Sequence, residues 1–128
     1  MVVVPYQDEV STPLNATERY ARQRQFAPIG REGQQASENA EIAVLGCGAL
    51  GSVAAEILCR AGVGRIRIID RDVVEWSNLQ RQSLFDSEDA RSGACKAESA
   101  CRRLSEINPS VSLTPSVVDL HPGNIESI

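Results

Sequence analysis

A glycine-rich loop between a short apolar run and an amphipathic segment is the feature that most constrains the fold of this 128-residue chain. The loop reads GCGALG at residues 46–51 and fits the pattern G-x-G-x-x-G. It follows a predicted strand and opens a predicted helix, which is the context that this pattern requires. Gly46 permits the tight turn, Gly48 lets the backbone approach a phosphate, and Gly51 lets helix and strand pack closely. The loop therefore predicts a nucleotide-binding unit.

The hydrophobic pattern around the loop predicts alternating strands and helices. Strands are predicted at residues 41–46, 65–70 and 111–118. Helices are predicted at residues 49–62 and 95–107, ended by Gly62 and by Asn108-Pro109. Pro115 places the last strand at an edge or ends it early. This order predicts an α/β fold with a Rossmann-like parallel sheet, one β-α-β-α-β half of a doubly wound fold.

Apolar residues at helical spacing indicate which side of each long helix faces the core. In the first helix they are Leu50, Val53, Ala54, Ile57, Leu58 and Ala61. In the second they are Ala97, Ala100, Cys101, Leu104 and Ile107. Between these helices, residues 71–91 are predicted as a loop with a short turn. Residues 121–128 are expected to begin a further helix.

The region before the first strand is predicted to be an arm followed by short helices. Residues 1–17 contain two prolines and no sustained period, so they predict a flexible N-terminal arm. A short helix is predicted within residues 16–26, with Thr17 as its N-cap. A second helical piece is predicted at residues 32–40. The domain itself is expected to span residues 18–128.

Composition restricts the class of protein. The formal net charge of −4 argues against a general nucleic-acid partner. No apolar run has the length of a membrane span, and the N-terminus lacks the pattern of a signal peptide. The four cysteines form no C-x-x-C pair, so they predict no metal site and suit burial in a reducing compartment. The prediction is a cytoplasmic protein that contacts neither membrane nor nucleic acid.

A carboxylate ends the second predicted strand. Asp70 follows Gly51 by 19 residues, where a carboxylate can accept hydrogen bonds from ribose hydroxyls. The glycine loop and one aspartate predict a bound nucleotide, but they do not distinguish NAD from ATP.

Short segments along most of the chain resemble the motifs of one known family. They are RYARQ at 19–23, GCGALG at 46–51, AGVG at 61–64, IIDRDVVEWSNLQRQ at 68–82, G-x-x-K at 93–96 and INP at 107–109. In this order they resemble the ThiF/MoeB/HesA family, the bacterial relatives of ubiquitin-activating enzymes. The resemblance runs from about Arg19 to Leu120.

The resemblance implies ATP-dependent adenylation. Such enzymes join AMP to the C-terminal carboxylate of a small ubiquitin-like sulfur-carrier protein and release pyrophosphate. The implied cofactors are ATP and magnesium (Mg2+), and the implied partners are the carrier protein and a second copy of the chain. This reaction needs neutralisation of phosphate charge and in-line positioning, which arginine forks and a lysine ammonium supply.

The resemblance also implies roles for individual residues. Those expected to contact the nucleotide are Gly46, Gly48, Gly51, Asp70, Asn78, Arg81 and Lys96. Those expected to take part in catalysis are Arg81, Lys96 and Arg22. Asp70 would hold the ribose, and Asn78, Arg81 and Lys96 would contact phosphates. Arg22 would reach the nucleotide across a homodimer interface.

Purely structural roles stay open for some of these side chains. Asn78 also suits the cap of a turn, and Asp72 suits either magnesium or solvent. Trp76 is expected to be a packing or interface residue. Cys47, inside the glycine loop, is expected to crowd a bound phosphate.

The sequence departs from the family in two respects. The spacing from Arg81 to Lys96 is about two residues longer than usual, which places a small insertion in DSEDARSG. The sequence also ends where the family continues for roughly another domain's worth of chain. We therefore expect an N-terminal part of a ThiF-type domain, with any zinc (Zn2+) site and catalytic cysteine lying beyond residue 128. The chain alone is expected not to catalyse adenylation.

Two other functions stay open. The chain also suits the NAD-binding half of an oxidoreductase, which shares the glycine loop and Asp70 but leaves RYARQ and NLQRQ without a role. It further suits a truncated, non-catalytic relative that binds a nucleotide or a partner.

Overall fold

The computed structural model of the protein describes residues 16–127. Its elements are α1 (Ala16–Arg19), α2 (Ala21–Gln25), α3 (Gly30–Asn39), β1 (Glu41–Leu45), α4 (Ala49–Ala61), β2 (Arg65–Ile69), α5 (Ser87–Ser92), α6 (Lys96–Ile107) and β3 (Ser112–Ser116). A 3-10 turn spans Trp76–Asn78. The predicted arm lies outside the described residues except for its last two, which begin α1. Thr17 is therefore inside this helix and is not its N-cap.

The three strands form one parallel sheet in the order β1-β2-β3. Ile66 of β2 pairs with Ile42 of β1 on one side and with Leu113 of β3 on the other. Helix α4 connects the first pair of strands and α6 the second, so the predicted Rossmann-like α/β fold is confirmed. Within the described residues β3 is an edge strand, as Pro115 predicted.

The core lies between the sheet and helices α4 and α6. Ile66 and Ile68 of β2 are fully buried there, together with Leu104 of α6. Ala97 and Ala100 of α6 are also fully buried, which confirms the predicted apolar face of that helix. Alternating side chains of β2 and the 3.6-residue period of α6 bring these groups into one apolar layer.

The prediction of which side of α4 faces the core is largely wrong. Leu50 is 89% exposed and Ile57 is 60% exposed, and Val53 and Ala54 are also exposed. The residues that α4 buries are the small ones Ser52, Ala55 and Cys59. The cause is the short distance between helix and sheet. A Cβ on Gly51 would lie 1.8 Å from the carbonyl oxygen of Gly46, so only small side chains fit on this side of the helix.

Helix α5 lies in the region predicted as a loop. Asp86 caps it by accepting hydrogen bonds from the backbone N–H groups of Glu88 and Asp89, and Asp89 accepts one from that of Asp86. The buried carboxylate of Asp89 also accepts from Ser99 and, at 2.6 Å, from Arg102. Burial alone would raise the pKa of Asp89, but these hydrogen bonds outweigh burial and hold it below its ordinary value. The DSEDARSG segment is therefore a helix docked on α6.

The predicted helix after residue 121 is wrong within the described range, where residues 121–127 form turns. The side chain of Asn124 accepts a hydrogen bond from the backbone N–H of His121 and donates one to the carbonyl of Asp119. The N–H of Ile125 donates to the carbonyl four residues back, at His121, but that of Ser127 donates only three residues back, to Asn124, so the chain continues as turns. None of the described helices is long and apolar enough to cross a membrane.

A buried polar network holds the N-terminal helices against the ends of α4 and α6. The side chain of Asn108 donates to the Tyr20 hydroxyl and to the carbonyl of Cys59, both at 2.8 Å. Gln23 donates to the carbonyl of Ala61 at 3.0 Å. Tyr20 is 2% exposed and packs on Gly62, where a Cβ would lie 2.4 Å from the ring. The segments RYARQ, AGVG and INP thus meet in one structural contact.

We expect Asn108→Ala to destabilise the protein by about 2–4 kcal/mol, because a buried carbonyl and a buried hydroxyl lose their common donor. Urea unfolding followed by circular dichroism measures this change. Asn39→Ala is the matched control, since Asn39 is exposed at the end of α3. Equal unfolding midpoints for the two variants would contradict the proposed contribution of this buried polar network to stability.

Candidate functional site

Two neighbouring cavities open near the carboxyl ends of the parallel strands, where parallel α/β sheets bind their ligands. The first, called the loop cavity, measures about 310 Å³ and is lined by Leu45, Gly46, Ile69, Asp70, Arg71, Asp72, Val118, Asp119 and Leu120. The second, called the lysine cavity, measures about 300 Å³ and is lined by Asp72, Val73, Glu75, Asn78 and Lys96. Asp72 lines both cavities.

The glycine loop takes the conformation that its sequence predicts. Gly46 has a φ of 85°, which favours glycine, and its N–H donates to the carbonyl of Ile69 at the end of β2. Gly48 is the N-cap residue of α4, and its backbone is open on the side where a Cβ would be. Gly51 contacts the backbone of Gly46 directly. The loop therefore presents bare backbone beside the loop cavity.

The side chain of Cys47 points away from this surface. It is fully buried and belongs to the hydrophobic core. Burial, and to a lesser extent the negative charge of Asp70, raises the pKa of the Cys47 thiol to about 12. The expectation that Cys47 crowds a bound phosphate is therefore wrong, because its side chain belongs to the core.

Asp70 ties the glycine loop to the segment that follows β2. One carboxylate oxygen accepts from the N–H of Cys47 at 2.6 Å, and the other accepts from the N–H of Asp72 at 2.8 Å. Each oxygen keeps a second lone pair for another donor. The predicted contact of Asp70 with a ribose stays a prediction that this geometry permits.

A short antiparallel contact fixes Lys96 beside this segment despite the insertion. Val74 donates its N–H to the carbonyl of Ala94 at 2.8 Å, and Lys96 donates its N–H to the carbonyl of Asp72 at 2.9 Å. Val73 forms a bridge with Cys95 between these two bonds. The insertion lies in the segment between the paired residues, and Lys96 lies at the pairing itself.

The lysine cavity places two side-chain donors, Lys96 and Asn78, beside the carboxylates of Asp72 and Glu75. The side chain of Lys96 is only 9% exposed, and its ammonium lies 3.4 Å from Asp72 Oδ2. The side-chain oxygen of Asn78 accepts from the N–H of Glu75 at 2.9 Å, which fixes the orientation of the amide. Within residues 16–127 no hydrogen bond involves the Asn78 Nδ2 group. Asn78 therefore caps the turn and still has an amide donor available for a ligand.

The structure places the two predicted arginines elsewhere. Arg81 is exposed, and its guanidinium donates to the carbonyl of Ser77 within its own turn. Arg22 is exposed on α2. Neither arginine lines the two cavities, which bring together Gly46, Asp70, Asn78 and Lys96.

Sequence reasoning gave Glu75 no role and left Asp72 open, although both line the lysine cavity. The available signal was the spacing of Glu75 and Asn78, which form a capping box around the 3-10 turn. Trp76, at the start of that turn, is 59% exposed and is not a core residue. Among residues 16–127, no group of three or more His, Cys, Asp or Glu side chains is arranged to hold a metal ion.

Comparison with known proteins identifies relatives over most of the chain. Residues 20–128 match the family described as the ThiF family. The chain is 50% identical over 109 residues to the sulfur carrier protein ThiS adenylyltransferase of Bacillus subtilis, covering 85% of this chain and 32% of that protein. It is 44% identical over 97 residues to the molybdopterin-synthase adenylyltransferase of Salmonella typhimurium, covering 76% and 38%. The chain thus spans about a third of the length of these relatives.

A solved structure shares the fold. The E. coli tRNA N6-threonylcarbamoyladenosine dehydratase TcdA in complex with ATP superposes with a TM-score of 0.81 at 31% identity. The match covers 92% of this chain and 47% of that protein.

Proposed function

The chain belongs to the ThiF family, and on this premise we propose that it supplies the ATP-binding part of an enzyme that adenylates the C-terminal carboxylate of a ubiquitin-like sulfur-carrier protein. Relatives named as adenylyltransferases of sulfur-carrier and molybdopterin systems support this proposal. A related structure with bound ATP supports the choice of nucleotide. Because the chain alone is expected not to catalyse adenylation, ATP–pyrophosphate exchange is measured with a carrier protein and an added C-terminal part of the domain. Exchange restored by that part supports an enzyme, and no exchange supports a relative that binds nucleotide without turnover.

The observation that carries the proposal is the pair of donors, Lys96 and Asn78, in a cavity that shares Asp72 with the cavity of the glycine loop. A buried ammonium and an oriented amide suit phosphate oxygens. In our proposal Asp70 holds the ribose, while Lys96 and Asn78 bind phosphates and stabilise the charge that shifts during adenylyl transfer. An NAD-dependent oxidoreductase would share the glycine loop but would have no evident use for the lysine cavity.

Magnesium belongs to the same proposal. When bound with ATP, it would neutralise phosphate charge. Magnesium commonly takes one or two carboxylates together with phosphate oxygens and water. Glu75 lines the lysine cavity and forms no ion pair within residues 16–127, so its carboxylate has suitable chemistry.

We also propose that the protein forms a homodimer in which Arg22 serves the site of the second copy. The support within the chain is that Arg22 is exposed on α2 and lines neither cavity of its own copy. Arg81 would contact phosphates after its guanidinium leaves the carbonyl of Ser77. A cytoplasmic location stays a prediction.

We expect ATP to bind at least tenfold more tightly than NAD, because only ATP places a triphosphate against Lys96 and Asn78. Trp76 is the only tryptophan in the sequence and is exposed two residues before Asn78, so we expect its fluorescence to change on binding. Calorimetric titration provides an independent measurement. Equal or tighter binding of NAD by the folded protein would reject the adenylation proposal.

A further inference from the structure

Asp72 occupies a central position between the two cavities. It lines both of them, and its carboxylate lies near two cations. Asp72 Oδ2 is 3.4 Å from the ammonium of Lys96, and Oδ1 is 3.8 Å from Arg71 Nε. Arg71 in turn pairs with Asp119 at 2.8 Å. A single carboxylate thus joins the charged wall of the loop cavity to the lysine cavity.

Both ends of Lys96 are bound to this one residue. The backbone N–H of Lys96 donates to the carbonyl of Asp72, and the ammonium lies beside the Asp72 carboxylate. A side chain that is only 9% exposed needs a partner for its charge. Within residues 16–127, Asp72 is the only acid within 4 Å of the Lys96 ammonium. Without Asp72, the four rotatable bonds of the lysine are free to carry the ammonium out to solvent.

We propose that Asp72 is a positioning residue, whose carboxylate holds the Lys96 ammonium where the lysine cavity meets the loop cavity, ready for the phosphates of a bound nucleotide. This inference rests on the proposed function for its ligand, but the contact itself exists without one. Asp72 acts through Lys96 and needs no contact with the nucleotide.

The opposite effect of Asp72 is also physically possible, because a carboxylate repels phosphate. Its side chain is 58% exposed, so solvent and salt screen that repulsion. The ammonium that it orients is mostly buried and is screened less. We therefore expect positioning to outweigh repulsion and removal of the charge to weaken phosphate binding.

The first test needs no nucleotide. Lys96 is the only lysine in the sequence, so acylation of its ε-amine by an N-hydroxysuccinimide ester is followed at one peptide by mass spectrometry. We expect Asp72→Asn to increase the acylation rate at least threefold and Asp72→Glu to restore slow labelling in part. Glu41→Gln is the matched control. Glu41 is equally exposed at 58% and pairs with Arg65 at the other end of the sheet. Acylation of Asp72→Asn at the wild-type rate would overturn the inference.

The second test measures ATP and adenosine affinity in the same variants. Asp72→Asn should weaken ATP binding about three- to tenfold and leave adenosine binding unchanged, because adenosine lacks phosphates. Combined with Lys96→Ala, it should add no further loss. Asp72→Asn that binds ATP as tightly as wild type, while Lys96→Ala binds weakly, would overturn the inference alone. If the wild-type protein failed to bind ATP, the proposed function would fail and the acylation rates would still decide the role of Asp72.

Discussion

Gly51→Ala is expected to destabilise the protein by about 3 kcal/mol or more, a large part of the 5–15 kcal/mol that stabilises a typical domain. The added Cβ would lie 1.8 Å from the carbonyl oxygen of Gly46 and 2.9 Å from its carbonyl carbon. Both atoms belong to the backbone, so no side-chain rotation relieves the collision. Either the glycine loop or the start of α4 must move. Urea unfolding followed by circular dichroism measures the loss.

Gly48→Ala provides the matched control three residues earlier. Gly48 has a φ of −82°, which any residue adopts, and a Cβ there meets nothing within 4 Å. We expect its free energy of unfolding to change by less than about 1 kcal/mol. If the two variants unfolded at the same urea concentration, the close contact of α4 with the glycine loop would be contradicted.

Lys96→Ala is expected to weaken ATP binding about ten- to hundredfold, the second large effect. Among residues 16–127, Lys96 is the only cation that lines the lysine cavity. A hydrogen bond to a charged group contributes about 1.5–3 kcal/mol, which corresponds to a loss of this size. Fluorescence of Trp76 and calorimetric titration both measure it. Adenosine should bind the variant as it binds wild type.

Two further variants separate charge from geometry at this position. Lys96→Arg keeps the charge but replaces a compact ammonium with a planar fork, so partial recovery is expected. Arg60→Ala removes a cation from the exposed side of α4, where Arg60 pairs with Glu56, and should leave ATP binding unchanged. ATP binding by Lys96→Ala at the wild-type affinity would show that this ammonium does not contact the nucleotide.

The parallel sheet was predictable because its signals are local. Short apolar runs, a glycine loop and proline stops repeat in an order that only a βαβ arrangement satisfies. The buried side of α4 was not predictable from periodicity, because the distance between helix and sheet decides whether Leu50 or Ala55 faces the core. That distance depends on the contact of Gly51 with Gly46, which is a property of the folded loop. Helix α5 was missed because its signal is a polar capping box rather than an apolar stripe.

The candidate site was predicted in part for the same reason. Asp70 directly follows β2 and Asn78 lies in the segment after it. The structure places Asp70 in the lining of the loop cavity and Asn78 in that of the lysine cavity, and their contacts with a nucleotide stay predictions. The hydrogen bond between Tyr20 and Asn108 joins residues that are 88 positions apart, so no local sequence pattern predicts it. The resemblance gave RYARQ a role only through Arg22. The structure shows that Tyr20 and Gln23 of this segment serve the fold.

The antiparallel contact between residues 72–74 and 94–96 turns the intervening chain into a closed loop whose ends are held together. The position of Lys96 therefore depends on the hydrogen-bonded pairing at the base of this loop and not on the number of residues between the paired segments. Closing a longer loop costs little additional entropy, since the cost grows only with the logarithm of length. The exposed residues 91–93, at the end of α5, are thus where residues can be added or a reporter grafted, because the paired residues keep Lys96 beside Asp72 while the buried Asn78 and Asp89 stay in place.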